Sequence, residues 1–320
     1  MNYHSHLNPK ASAYLDKGVG ERAAFIKLDR LYVHPILAAI QNHVRALVTQ
    51  PRTSRASGVL VHGAPGAGKT QVGLAAQRTF PAVRNGDGVM TQPVVMISLS
   101  EARDARMIYT RLLTALGTPQ PDKVIKSRDR EQLALKLLLH SETRLLVVDE
   151  TQDVLFTTDY QRQATLNTIK YVMNEIGLPI LALGTDEAAK AFTGNQHMAA
   201  RFKPYQLPIW SNDATARHLL GTIEKWLPLR LPSGLSSAQM TQTIIKASSG
   251  SMSEIIRITK DAAIFSILDG SEKITAALVE KAVAEVPPYE IWERAITEEV
   301  PHDPQTPPRE QTCRPETDPR

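Results

Sequence analysis

Apolar residues follow two different periods along this chain. Val59-Leu60-Val61, Val94 to Leu99, Leu145 to Val148 and Leu178 to Leu183 are short continuous runs rich in Val, Ile and Leu. Such runs predict strands of a parallel sheet covered on both faces, and a shorter strand is expected at 203–207. Between them apolar positions recur at helical spacing: Ile36, Ile40, Val44 and Leu47, then Ile108, Leu112 and Leu116, then Leu133, Leu137 and Leu138, then Leu166, Ile169, Val172 and Met173. Pro35 suits a first helical turn, and Gly117-Thr118-Pro119 is a stop signal. From Trp210 onward only the helical period remains. Helices are expected over 213–226, 236–248, 253–268 and 275–285, and Ser236-Ser237-Ala238-Gln239 has the spacing of a capping box. Residues 1–30 show no defensible period.

This order implies an α/β sandwich around a parallel sheet at 57–209 and a small helical lid domain at 210–286, with an N-terminal extension and helix at 1–56. Residues 287–320 hold 8 of the 21 prolines and few apolar residues, so a disordered tail is expected there. Ile291, Trp292 and Ile296 form an apolar spot in it, suited to docking a partner or to a short helix lying back on the body.

At 320 residues, 42% hydrophobic and 22% charged, the chain is long enough for one large or two modest domains. Its single cysteine, Cys313, leaves no disulfide framework and fits a reducing cytosol. No apolar run reaches membrane-spanning length, and the first residues lack a charged n-region and an apolar h-region, so a soluble, cytoplasmic protein is expected. The tail carries four arginines against eight acids, a balance of −4; with +4 overall, residues 1–286 stand at +8. A basic body suits a polyanionic partner, or is simply a soluble surface.

The chemistry concentrates after the first strand. Gly63-Ala64-Pro65-Gly66-Ala67-Gly68-Lys69-Thr70 matches G-x-x-x-x-G-K-[ST] in full, between a strand and a helix start. Small residues let backbone N–H groups curl around a phosphate, and the helix N-terminus adds its dipole. Lys69 would reach the β and γ phosphates of ATP and Thr70 would hold Mg²⁺. About 80 residues on, a buried strand delivers Asp149 and Glu150. Asp149 would orient the Mg²⁺ shell and Glu150 polarise the water that attacks the γ-phosphate. Alone, such acids could equally cap a helix. Because the run 94–99 intervenes, the acidic strand should not neighbour the loop strand in sequence order, as in the ATPase branch of phosphate-loop folds. Thr185 ends a strand expected beside the acidic one; it would bond the attacking water or γ-phosphate, or cap the helix beginning at Asp186. Arg201 suits an arginine finger reaching a neighbouring subunit, or a structural ion pair. Arg52 and Arg55 could meet phosphate, nucleic acid or solvent.

Loop, acidic strand, hydroxyl strand, arginine and helical lid, in that order over about 31–285, resemble the AAA+ ATPases. Finer marks resemble the TniB/TnsC family of transposition regulators: Tyr32-Val33-His34-Pro35, Pro51-Arg52, Leu145 to Asp153, Leu183 to Ala188, Arg201-Phe202, Leu207 to Trp210 and Leu227 to Arg230. The resemblance implies a slow, ATP- and Mg²⁺-dependent ATPase that oligomerises as rings or filaments on duplex DNA. It would link a target-selection protein of TniQ type to the transposase. DNA contact would then be to the backbone, and Arg103, Lys123, Lys126 and Arg128 are the candidates. The chain departs from many AAA+ proteins in placing Ser253 where a lid arginine senses nucleotide, with Arg257 a turn beyond. It also departs from many relatives at Thr151, where they have an apolar residue. A helicase or clamp loader, and an ATP-switched scaffold that does not bind DNA, remain the alternatives.

Overall fold

The computed structural model describes residues 6–84, 86, 90–100, 106–156, 158–288 and 290–291. Five parallel strands form its sheet: β1 (Gly58–His62), β2 (Val94–Ser98), β3 (Leu145–Asp149), β4 (Ile180–Gly184) and β5 (Phe202–Gln206). Their spatial order is β2-β3-β4-β1-β5. The acidic strand β3 is separated in space from the loop strand β1 by β4, so the strand ending at Thr185 lies beside the acidic one as expected. The register Val148↔Ala182 and Leu60↔Ala182 aligns the three central strands, so their carboxyl ends open on the same edge.

Strict alternation along these strands feeds two cores. Leu60, Val95, Ile97, Leu146, Val148, Ile180 and Ala182 face one side. There they meet Leu112 and Leu113 of α4 (Arg106–Ala115), Leu138 of α5 (Ser127–His140), and Ile169 and Met173 of α6 (Asp159–Glu175). Val59, Val61, Val147, Leu181 and Leu183 face the other. Their partners are Ile40, Val44 and Leu47 of α2 (Pro35–Thr49) and Val72 and Ala76 of α3 (Lys69–Thr79). Each residue buried this way is worth about 1.5–3 kcal/mol relative to exposure. Both faces are thus covered, which is why the strands read as unbroken apolar runs.

The lid comprises α8 (Ala214–Glu224), α9 (Ala238–Ser248), α10 (Met252–Leu268) and α11 (Ala276–Ala284). Ser237 alone caps α9, its Oγ accepting the Met240 N–H at 3.3 Å, so the helix begins later than the expected capping box at Ser236. The first thirty residues, which carry no readable period, contain a helix, α1 (Val19–Lys27). Ala23 and Ile26 of α1 and Tyr32 join the lid core, whereas α2 joins the sheet core. Arg22 is buried in this contact and bonds the Pro228 carbonyl and the Glu272 carboxylate. The segment 28–34 consequently bridges lid and sheet. Of residues 287–320, only 287, 288, 290 and 291 are described; Ile291 is buried against the lid core, while Trp292, Ile296 and the expected disorder lie outside the described residues.

Candidate nucleotide site

At the carboxyl end of β1 the chain turns through Gly63-Ala64-Pro65-Gly66-Ala67-Gly68 into α3. Gly66 has φ +75°, and a Cβ there would stand 2.5 Å from Ser253 Oγ and 2.7 Å from Ser251 Oγ. Only glycine allows this approach. The Ser253 N–H donates to the Gly66 carbonyl at 2.9 Å, so the first turn of α10 rests on the loop. Lys69 Nζ lies over the loop, donating to the carbonyls of Gly63 and Ala64 at 2.9 Å each. Burial pushes its pKa down, and the carboxylates of Glu150, Asp149 and Asp186 pull it back up.

Thr70 Oγ1 donates to Asp149 Oδ2 at 2.8 Å, which brings the two expected Mg²⁺-holding groups together. Asp149 is 5% exposed. Among the described residues no group of three or more His, Cys, Asp or Glu could hold a metal ion unaided. The adjoining Thr70 hydroxyl and Asp149 carboxylate match the one or two protein oxygens that Mg²⁺ ordinarily takes beside phosphate and water.

Immediately after Asp149 the chain leaves the sheet. Glu150 has φ +56°, a left-handed conformation that swings its side chain out of the strand's alternation. Its amide donates to Asp149 Oδ1 at 2.8 Å, and Gln152 Nε2 donates to Glu150 Oε2. Thr151 is 1% exposed and donates to the Leu183 carbonyl at 2.9 Å. Here lies the physical use of a hydroxyl at this position: it ties the turn after β3 to the end of β4. A Cβ on Gly184 would meet Thr151 Oγ1 at 2.2 Å. Thr185 occupies the N-cap position of α7 (Asp186–Gly194) without a side-chain capping bond. Its hydroxyl instead bonds the Glu187 side chain, the first cause of that carboxyl's lowered pKa. His62, the last residue of β1, pairs through Nδ1 with Asp186 Oδ1 at 2.6 Å. Thr151, Gln152 and Asp186 lie in stretches that mark the family resemblance, which assigns them no role, and His62 carries no motif signal; their adjacency to the acid pair and to the loop is what the fold adds.

Other candidates fall elsewhere. Arg201 immediately precedes β5, and its carbonyl accepts the Gly58 N–H at 2.8 Å, at the end of β1 opposite the loop. Four strand rises, about 13 Å, separate it from the loop of its own chain. Its Nη1 donates to Asn174 Oδ1 at 2.7 Å. Lys123, on the short helix Pro121–Val124, is exposed, as are Lys126 and Arg128 at the start of α5. Arg128 pairs with Asp129 at 3.5 Å. Arg103 lies outside the described residues. Arg52 is taken up structurally, donating to the carbonyls of Ile176 and Thr143 at 3.0 and 2.8 Å. Arg257 is held within the lid by Glu254, Asp261 and the Ala282 carbonyl.

A cleft adjoins the loop at Ala67 and Gly68, walled by the 30–34 segment, α3 and the start of α10. Its lining is mostly apolar, with Arg30, Tyr32, His34 and Gln71 among it. Among the described residues no helix is long and apolar enough to cross a membrane.

The profile of the family described as Bacterial TniB protein matches residues 22–212. No curated protein sequence matches the chain. In fold the chain is similar to the ORC2 protein of Aeropyrum pernix in its ADPNP-ADP complexes, at TM-score 0.58 and 18% identity, over 81% of this chain and 71% of that one. It is similar to the ORC1 protein of the same organism in complex with DNA, at TM-score 0.58 and 14% identity, over 82% and 68%. Cdc6p of Pyrobaculum aerophilum gives TM-score 0.57 and 15% identity, over 82% and 70%.

Proposed function

The chain belongs to the TniB family and has the AAA+ fold, and from that premise we propose that it is a Mg²⁺-dependent ATPase that assembles on duplex DNA. In this reading a ring or helical filament of copies links a target-selection protein of TniQ type to a transposase. The loop 63–68 and Lys69 bind the triphosphate, and Thr70 and Asp149 would hold Mg²⁺, which would supply positive charge beside the phosphates. Glu150, held by Gln152, accepts a proton from the attacking water. Thr185 turns its hydroxyl to that water or to the γ-phosphate.

One observation carries the assembly: Arg201 stands at the far end of β1 from its own loop. An arginine so placed completes the site of a neighbouring copy, where its guanidinium neutralises charge developing on the γ-phosphate. Duplex binding is supported by the basic body at +8, by the exposed Lys123, Lys126 and Arg128, and by the fold shared with the Aeropyrum ORC1 protein, which was solved with DNA.

Mixing variants tests the shared site. Glu150→Gln and Arg201→Ala should each lose DNA-stimulated hydrolysis, about 100-fold or more, when assayed alone. An equal mixture should regain about a quarter of wild-type turnover, because one interface in four then pairs an intact Glu150 with an intact Arg201. No recovery, with both variants still binding ATP, overturns the proposal that Arg201 acts between copies. ATP-dependent gel shift of random-sequence duplex tests the DNA contact; a scaffold without DNA binding would leave the duplex unshifted.

A further inference from the structure

Among the charged groups around Lys69 is one pair to which phosphate chemistry gives no task. Lys69 Nζ rests on the Gly63 and Ala64 carbonyls. Burial lowers its pKa, and three carboxylates act against that through space: Glu150, Asp149 and Asp186. Each of the three is tethered by a neighbouring donor. Asp149 accepts from the Thr70 hydroxyl and the Glu150 amide, and Glu150 accepts from Gln152. Asp186 accepts from His62; a carboxylate can only accept, so Nδ1 carries the proton in this 2.6 Å bond.

The sheet places His62 for this contact. It ends β1 immediately before Gly63, in register with Gly184 of β4 and Gln206 of β5, and its carbonyl accepts the Leu207 N–H at 2.8 Å. Its side chain is 15% exposed, against 46% for Asp186, so the buried, fixed partner holds the exposed one. Asp186 opens α7 one residue after Thr185, whose hydroxyl is assigned above to the attacking water or the γ-phosphate. A carboxylate released at that point would draw the Lys69 ammonium toward itself and repel the terminal phosphate. Both effects oppose binding.

We propose that His62 is a positioning residue that, by holding Asp186, keeps Lys69 available to the terminal phosphate and so sets the preference of the site for a nucleoside triphosphate over a diphosphate. This rests on the phosphate-binding reading of the loop. A diphosphate lacks the group that would stand beside Asp186, so losing the tether costs it less. His62 thereby acts on selectivity without touching the nucleotide.

Competition against a fluorescent nucleotide tests the assignment, comparing ATP with ADP in Mg²⁺ buffer at neutral pH on the intact protein, His62→Leu, Asp186→Asn and the double variant. His62→Leu should weaken ATP about tenfold while ADP stays within about twofold. Asp186→Asn should raise the ratio of ATP to ADP affinity about threefold by removing a like charge, and combined with His62→Leu it should bring ATP back to within about threefold of the wild type. Such rescue separates positioning from support of the fold, because a strand end that had only lost packing would not recover when a second residue is changed. Asp186 is half-exposed, so Asp186→Asn answers the question even if His62→Leu fails to fold. Equal weakening of ATP and ADP in His62→Leu, absence of rescue in the double variant, or an unchanged or lowered ratio in Asp186→Asn overturns the inference and leaves the phosphate site standing. A wild type that binds neither ATP nor ADP would instead remove the phosphate-binding reading, and this inference with it.

Discussion

In the proposed function Glu150 serves turnover and Lys69 capture of the triphosphate, and their environments differ. Glu150 stands in a left-handed turn and accepts a bond from Gln152, so its carboxylate is positioned without taking part in the loop. Glu150→Gln should therefore reduce hydrolysis by about 10²–10³ and leave ATP affinity within about threefold, as isothermal titration beside a phosphate-release assay will report. Lys69 behaves differently. Burial holds its pKa below that of a free lysine, and only the ammonium attracts a triphosphate. Affinity should accordingly decline as pH rises through that lowered pKa, and binding near it should take up a proton, measurable as a buffer-dependent binding enthalpy. A binding enthalpy independent of the buffer at alkaline pH would show that Lys69 is already fully charged in the free protein.

The elements meet through contacts that a single-residue view misses. Gly184 ends β4 where Thr151 Oγ1 bonds the Leu183 carbonyl, and a Cβ there would also stand 2.8 Å from Ala188 Cβ. Gly184→Ala should cost about 2 kcal/mol and lower Tm by roughly 4–8 °C in a thermal melt. Between lid and N-terminal helix, Lys260 of α10 donates to the Leu28 carbonyl at 2.8 Å and is 6% exposed. Burial foremost, then Arg30 and Lys27, lowers its pKa to about 8, against the opposing pull of Asp29 and Asp261. From about pH 8 up to the unfolded value of 10.5, the unfolded chain keeps a proton that the native state has released. Stability should therefore rise with pH across that window, by up to about 3 kcal/mol, and Lys260→Met should flatten the rise in urea titrations. An equal rise in Lys260→Met would assign it to other groups.

This element-level view also explains what could be read in advance. The sheet, its order around β3 and β1, and the meeting of loop and acid pair were legible because double-sided burial and glycine-rich turns leave local signatures. Helix α1 was not, since Arg22 sits on its buried face and is compensated by Glu272, far away in the chain. No local window contains that partner. The split of the N-terminal region between lid and sheet cores and the Thr151 tie were hidden for the same reason, because each depends on a residue brought in by the fold.

At the scale of the whole molecule, lid, bridging segment and sheet surround one cleft and one loop. In the proposed function Arg201, at the far end of β1 from the loop, would meet another copy, and the exposed basic residues near α5 would meet a polyanion. Lys126 and Arg128 are exposed at the start of α5. If they contact duplex phosphates, the Lys126→Ala/Arg128→Ala double variant should weaken DNA binding and reduce the slope of log K against log salt by up to about 2. An unchanged slope would move the DNA contact elsewhere. The central claim is that a bound triphosphate joins copies into an array that grips DNA. Electron microscopy of the protein with duplex DNA and a slowly hydrolysed ATP analogue tests it most directly. The account predicts ordered rings or filaments on the duplex for the wild type with nucleotide, and bare DNA both without nucleotide and for Lys69→Ala. Duplex coated by Lys69→Ala to the same extent as by the wild type would contradict it.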